Sequence, residues 1–127
     1  MDARQAIEEA HALYVRAVDD RTLEGLRSVF DTSTVFTMND GERAVGVDDA
    51  IARLGRRLVG APRHRHLTTN LSITVTEDRA VAHSDWYLMF PGVEGWYAQS
   101  AGTYDDELRR VGDSWIFTRR RISLAPR

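Results

Sequence analysis

The sequence predicts an α+β domain in which helices pack on one face of a strongly curved, mostly antiparallel sheet. Three observations predict it: a helical apolar pattern fills residues 2–18, two further helical segments follow, and the remaining half reads as consecutive strands. Helices followed by a run of strands are typical of this class. A sheet curled around helices leaves a cavity between the two layers, and the functional site is expected there.

The helices are predicted from the spacing of apolar residues. The first carries a stripe whose members are Ile7, Ala10, Tyr14, Ala17 and Val18. A short second helix is carried by Leu23, Leu26 and Phe30, and the third covers the segment GVDDAIARLGRRLVG. With the strands that follow, these helices are predicted to form one domain over residues 1–127.

The strands are predicted from alternation and turn residues. The segment TVFTMNDGERAVG alternates like a β-hairpin around the turn Asn39-Asp40-Gly41. After the third helix, four strands are predicted over residues 65–75, 79–90, 96–110 and 115–124. Short turns rich in Gly, Asp and Pro separate them.

Composition excludes several classes of function. The net charge is −2, so the electrostatic attraction that drives nucleic-acid binding is missing. All 17 basic residues are arginine, and the absence of lysine excludes Schiff-base chemistry on a side-chain amine. Without cysteine there is no thiolate chemistry or disulfide. The first residues lack a signal-peptide pattern and no apolar run has membrane-spanning length, so a cytoplasmic protein is expected.

Two adjacent acids, Asp19 and Asp20, lie where the first helix is predicted to end. A carboxylate in the last turn faces the negative end of the helix dipole, which costs roughly 0.3–1 kcal/mol. Asp20 is expected to cap the second helix by accepting its first amide hydrogens. Asp19 has no such role, so it is either a solvated acid near Arg16 or Arg21 or a functional carboxylate.

The stretch RHRHLTTN opens a predicted strand with two of the four histidines of the chain. By strand alternation, one face carries His66, Thr68, Asn70 and Ser72, and the other carries Leu67, Leu71, Ile73 and Val75. His66 therefore lies on a polar face, which is either open solvent or the wall of a polar pocket. His64 and His66 are close enough to share a metal ion, but zinc sites usually have three or four ligands. No further His or Cys lies at suitable spacing, so no metal site is predicted.

In the strand AVAHSDWYLMF the more apolar face carries Ser84, Trp86 and Leu88, which are expected to point inward. His83 then points away from the cavity, and His11, beside polar neighbours on the first helix, is expected to be solvated. The segments YDDELRR and FTRRR predict a salt-bridged outer sheet face. One of their arginines remains able to reach the cavity and hold a carboxylate.

Together these patterns resemble the SnoaL-like branch of the nuclear-transport-factor-2-like (NTF2-like) superfamily, most specifically in YVRAVDDR, RHLTTN and GTYDDELRRVGDSW. The resemblance implies a cone-shaped domain, with three N-terminal helices on the curved sheet enclosing a pocket. Enzymes of this family carry a tyrosine on the first helix, then an aspartate, and a histidine that opens a strand, which correspond to Tyr14, Asp19 and His66. Five residues place Tyr14 and Asp19 about 140° apart on a helix, so both reach one cavity only if the helix ends at Asp19.

The resemblance implies a catalytic Asp19–His66 dyad with Tyr14 as hydrogen-bond donor, and it implies further substrate contacts. These are Ser84, Trp86, Leu88, Tyr104, Asn70 and Phe36. Some family members carry a pocket histidine at the position of Ser84 and a pocket asparagine at that of Tyr104, so their substrates do not transfer to this chain.

The implied activity is proton transfer without cofactor or metal, by a lyase of the dehydratase or elimination type or by an isomerase. The substrate is expected to be a small, mostly apolar, oxygenated molecule. A polyketide-cyclase-type enzyme and a non-catalytic ligand-binding or assembly module remain alternatives, because the fold serves all three roles. The resemblance also implies a homodimer formed through the outer sheet face.

Overall fold

The computed structural model describes residues 1–126, and its elements follow the predicted order. In chain order they are α1 (Ala3–Asp19), a 3-10 helix (Leu23–Ser28), β1 (Val35–Thr37), β2 (Arg43–Val45), α2 (Val47–Leu58), β3 (Arg65–Thr76), β4 (Arg79–Gly92), β5 (Gly95–Val111) and β6 (Ser114–Leu124). The predicted three helices and the mostly antiparallel sheet are therefore confirmed, with the second helix a 3-10 helix.

Helix α1 begins at a capping box and ends at Asp19. The Asp2 carboxylate accepts the backbone N–H of Gln5 at 2.8 Å, and the Gln5 side chain accepts the backbone N–H of Asp2. The predicted capping role of Asp20 is wrong. Its carboxylate lies 3.0 Å from Arg65, and Thr22, which precedes the 3-10 helix, makes no side-chain cap. The helix end leaves Asp19 directed into the fold, where its side chain is 4% exposed.

The six strands form one sheet in the order β2-β1-β6-β5-β4-β3, in which only the β1–β6 pair is parallel. Register shifts interrupt the β3–β4, β4–β5 and β5–β6 pairings. Such β-bulges bend a strand and increase its twist. They accompany the long strands that curve around α1 and form a concave inner face.

The bulge in β3 determines which side chains face the cavity. Asn70 adopts a left-handed conformation (φ 53°), and the pairing with β4 shifts between Thr69 and Ser72. The extra residue reverses the alternation, so that His66 before the bulge and Leu71 after it share the inner face. Asn70 itself is exposed and donates to the Asp85 carboxylate at 2.8 Å. Its predicted place in the pocket is therefore wrong.

The inner face of the sheet carries the core. Buried side chains there include Ala80, Ala82, Ser84, Trp86, Tyr104, Leu108, Trp115 and Phe117. Gly102 lies opposite Trp86 in the β4–β5 register, and a Cβ at Gly102 would lie 2.4 Å from the indole ring and 1.9 Å from the Ser123 carbonyl oxygen. Glycine therefore allows Trp86 to lie flat against β5.

Within residues 1–126, the helices are too short or too polar for any of them to cross a membrane.

Candidate active site

The end of α1 meets the start of β3, and this contact brings Asp19 to His66. The Asp19 Oδ1 atom lies 2.6 Å from His66 Nδ1, and Oδ2 accepts the backbone N–H of His66 at 2.8 Å. The same residue thus presents both its ring and its amide to one carboxylate. The two expected dyad residues are in direct contact.

The Asp19 carboxylate is ionised. Burial raises its pKa, but the hydrogen bonds donated by the rings of His64 and His66 and by the His66 backbone outweigh this effect, so the pKa lies well below the ordinary carboxyl value. An ionised carboxylate only accepts hydrogen bonds. His66 must therefore donate from Nδ1, and its Nε2 is the ring nitrogen left to act as a base.

His64 is hydrogen-bonded to the same carboxylate. Its Nδ1 lies 3.1 Å from Asp19 Oδ1, and its side chain is 7% exposed. From the sequence, His64 was weighed only as a metal ligand, and its contact with Asp19 was not predicted. The two-residue spacing of His64 and His66 could have indicated this contact, because residues two apart lie on the same face of an extended chain.

Asp19, His64 and His66 also form a group that could hold a metal ion, with ligand atoms within 4.8 Å of one another. Ligands around tetrahedral zinc, each bound at about 2.0–2.1 Å, stand roughly 3.3 Å apart. The separation of 2.6 Å between His66 and Asp19 is shorter and fits a charge-assisted N–H···O hydrogen bond. In this arrangement both imidazoles are hydrogen-bonded to the Asp19 carboxylate.

Both imidazoles line a cavity of about 200 Å³ between the helices and the sheet. The other residues around it include Tyr14, Val18, Leu54, Trp86, Leu88, Ser100, Tyr104 and Ile122. Trp86 is held in place by its indole N–H, which donates to the Thr103 carbonyl oxygen at 3.1 Å. The wall is mostly apolar, and its ionisable groups are the two imidazoles, the two phenols and Arg57.

The two phenols remain protonated at neutral pH. Burial raises the pKa of Tyr14 well above its ordinary value and raises that of Tyr104 to about 12, although the nearby Arg120 cation opposes both shifts. A protonated phenol donates a hydrogen bond. Tyr14 and Tyr104 can therefore stabilise an oxygen atom on which negative charge develops.

A second buried polar cluster lies behind the tyrosines. The Arg120 guanidinium carbon is 3.7 Å from the centre of the Tyr104 ring and 4.3 Å from that of Tyr14, within the range of cation–π attraction. Its Nε lies 3.1 Å from Asp106 Oδ1, and Asp106 Oδ2 lies 3.0 Å from His11 Nε2. The cluster connects α1 to β5 and β6 beneath the cavity floor.

This cluster corrects two predictions. His11 is buried rather than solvated, at 4% exposure. The YDDELRR and FTRRR segments do form an exposed ion pair between Glu107 and Arg119. Asp106 and Arg120, which lie opposite each other in the β5–β6 register, are instead buried in the interior. Arg120 is the arginine that turns inward, and it packs beneath the phenols.

The remaining predicted site residues lie at different depths. Leu88 and Trp86 line the cavity, whereas Phe36 packs behind Tyr14, with ring centres 6.0 Å apart. Ser84 is fully buried beside Tyr104, and its hydroxyl has no hydrogen-bond partner among residues 1–126. On the outer face of the sheet, His83 is exposed and lies 2.7 Å from Asp105, pointing away from the cavity as predicted.

His66 also borders a second, open space. A surface groove of about 490 Å³ runs between α1 and β3, and its lining includes His11, Asp19, Arg65 and His66. His66 therefore separates the inner cavity from a region open to solvent.

The curved sheet, the packed helices and the polar cluster at their junction define an α+β cone with an internal cavity. Residues 1–121 match the SnoaL-like domain family. The chain belongs to this family, and the predicted NTF2-like fold is confirmed. No curated protein matches the chain significantly.

Several solved structures share the fold. LinA is 24% identical, with 98% of this chain and 86% of that chain aligned at a TM-score of 0.85. The β subunit of a putative aromatic-ring-hydroxylating dioxygenase from Novosphingobium aromaticivorans is 20% identical (TM-score 0.81, 98% and 90% covered). An NTF2-like protein from Cytophaga hutchinsonii is 16% identical (TM-score 0.77, 98% and 100% covered).

Proposed function

We propose that the protein is an enzyme that catalyses proton transfer at carbon, as a lyase of the dehydratase or elimination type or as an isomerase. One observation carries this proposal: His66 Nδ1 lies 2.6 Å from an ionised, buried Asp19 carboxylate, while the ring lines an internal cavity. The carboxylate fixes the tautomer that leaves Nε2 free, and it stabilises the imidazolium that forms when Nε2 takes a proton. Neither step calls for a cofactor.

Tyr14 and Tyr104 supply the complementary electrophilic side of the cavity. When a proton leaves the carbon next to a carbonyl, negative charge collects on the carbonyl oxygen. A phenol that remains protonated can donate to this oxygen, and the apolar walls around Trp86 and Leu88 strengthen the contact by excluding water. The loss of a single preorganised donor of this kind typically costs about 10²–10³ in rate.

The size of the cavity limits the substrate. At about 200 Å³ it is smaller than the roughly 300–1,000 Å³ of typical ligand pockets. It suits a short or monocyclic ketone or hydroxyketone better than the polycyclic substrate expected for a polyketide cyclase. A small, mostly apolar, oxygenated molecule is therefore the proposed substrate class.

The test is exchange of carbon-bound hydrogen for deuterium in heavy water, which needs a base but no leaving group. Small ketones and hydroxyketones are incubated with the wild type, with His66→Asn and with His83→Asn, and incorporation is followed by NMR. Asparagine places an amide nitrogen near the position of Nδ1 and removes Nε2. His83 belongs to an exposed His–Asp pair of similar length, so His83→Asn is the matched control.

We expect exchange catalysed by the wild type and by His83→Asn, and a loss of about 10²–10⁴-fold in His66→Asn, the usual contribution of a general base. Ligand binding by the wild type without exchange of any compound would favour the binding-module alternative. Equal exchange by His66→Asn and the wild type would show that another group is the base.

A second copy of the chain is the proposed partner. The outer sheet face exposes large apolar side chains, among them Leu67, Val81, Tyr87 and Trp96. Leu67 and Tyr87 lie opposite each other on adjacent strands, so part of this surface is contiguous. We expect the wild type to sediment as a dimer and Trp96→Arg to sediment as a monomer. A monomeric wild type would contradict the proposed dimer.

A further inference from the structure

His64 is a buried imidazole at the cavity that the proposed function leaves unused. Its Nδ1 lies 3.1 Å from the same Asp19 oxygen that His66 contacts at 2.6 Å. The two imidazole rings are 5.3 Å apart, nearly perpendicular at 85°, and both line the cavity. One carboxylate oxygen thus accepts hydrogen bonds from two imidazoles that line the same cavity.

The charges of the three groups limit how the cluster can be protonated. Because the Asp19 oxygen only accepts, both rings donate from Nδ1, and both are left with Nε2 for other partners. One carboxylate compensates one positive charge. The cluster is therefore balanced when one ring is an imidazolium and the other is neutral, which provides an acid and a base at the same cavity.

We propose that His64 is a second catalytic residue, the general acid that acts with His66 in an elimination from a small β-hydroxy carbonyl compound. This inference rests on the proposed function and specifies its reaction. His66 Nε2 removes the proton from the carbon next to the carbonyl, and the electron pair of that C–H bond forms the new C=C bond. The C–O electron pair leaves with the hydroxyl oxygen, which takes the Nε2 proton of His64 and departs as water.

The positive charge moves from His64 to His66 during this step, so the Asp19 oxygen is paired with one cation throughout. His66 keeps the role of the base that the proposed function gives it, and His64 supplies the second Nε2 at the cavity. His66 also borders the open groove between α1 and β3, where it can release the proton to water. Solvent protons then restore the starting state.

The catalytic test separates the acid from the base. His64→Asn keeps an amide donor for Asp19 and removes Nε2. Each variant is assayed for deuterium exchange of a small ketone, for elimination of water from its β-hydroxy derivative and for elimination of chloride from its β-chloro derivative. Water is a poor leaving group without a proton, whereas chloride leaves without one.

For His64→Asn we expect dehydration to fall at least about a hundredfold. Chloride elimination and exchange are expected to fall less than about tenfold. His66→Asn is expected to lose all three reactions. An equal loss of all three in His64→Asn, or dehydration at the wild-type rate, would overturn the assignment.

A second measurement does not depend on activity. Long-range ¹H–¹⁵N NMR at about pH 9, where free imidazole is neutral, reports which nitrogen of each ring carries the proton. We expect Nδ1–H for His64. Unprotonated Nδ1 on His64, or zinc binding that is lost in His64→Asn, would overturn the shared hydrogen bond. An inactive wild type whose two rings are both Nδ1–H would overturn the proposed function, and with it the acid role of His64, while the shared hydrogen bond would stand.

Discussion

Replacement of Asp19 by asparagine tests whether the buried carboxylate holds the site together. The Asp19 side chain is 4% exposed and accepts three hydrogen bonds, from the His66 amide and from the rings of His64 and His66. Asparagine keeps the shape but has one oxygen. If that oxygen retains the two rings, the new NH₂ group faces the His66 amide N–H, and a buried donor without a partner costs about 1–3 kcal/mol.

The expected result at pH 7 is therefore a free energy of unfolding lower by about 1–3 kcal/mol. With a urea dependence of roughly 1–3 kcal/mol per molar, this lowers the unfolding midpoint by on the order of 1 M. The matched control is Asp105→Asn, because Asp105 pairs with His83 on the exposed face. A surface change of this kind is expected to stay within about 0.5 kcal/mol.

The difference in free energy of unfolding between the wild type and Asp19→Asn should depend on pH. The folded-state pKa of Asp19 lies below its unfolded value, so its stabilising effect is present above the unfolded pKa and is lost as the pH falls toward the folded value. The asparagine variant has no such loss. The gap between wild type and Asp19→Asn should narrow below about pH 4. Equal stability at pH 7, or a gap that widens in acid, would refute the reasoning.

Three further variants test the surroundings of the site. Tyr14→Phe should lower turnover by about 10²-fold with little change in the urea midpoint, because it removes a donor; unchanged turnover would exclude Tyr14 from the chemistry. Asp106→Asn leaves the fully buried Arg120 guanidinium without its counter-ion, and urea unfolding should show a loss of about 3–5 kcal/mol. A loss below 1 kcal/mol would contradict this. Gly102→Ala should displace the Trp86 indole and shift its fluorescence, with at least about 1–3 kcal/mol lost; an unchanged spectrum and stability would contradict the close contact.

Much of the fold was predictable because local patterns and tertiary packing agree. The apolar stripe around Tyr14 is buried as its helical spacing predicts. The four long strands begin and end within two residues of the predicted bounds, since turn residues separate them. The end of α1 at Asp19, which the Tyr14–Asp19 spacing required, is also observed.

Strand alternation failed where the chain inserts an extra residue. Counting by twos predicted opposite faces for His66 and Leu71, and the bulge at Asn70 places both on the inner face. Asparagine tolerates the left-handed conformation, but nothing local required it to adopt one here. The extra residue is revealed only by the pairing of β3 with β4.

Buried charges were the other feature that local pattern did not show. Asp106 and Arg120 come from runs of charge that read as a solvated face. Both are turned inward by the β5–β6 register, with a bulge after Glu107, and His11 meets them from α1. The contact of His64 with Asp19 was not predicted, because the two residues are 45 positions apart in the sequence. These errors concern pairings between distant segments, which periodicity does not encode.

The most direct test of the central claim is the ¹⁵N spectrum of the His66 ring in the wild type and in Asp19→Asn. A buried, ionised carboxylate at Nδ1 predicts the Nδ1–H tautomer with unprotonated Nε2 in the wild type, and loss of that preference in the variant. A wild-type ring protonated at Nε2, unchanged by the substitution, would contradict an Asp19-oriented base at the cavity.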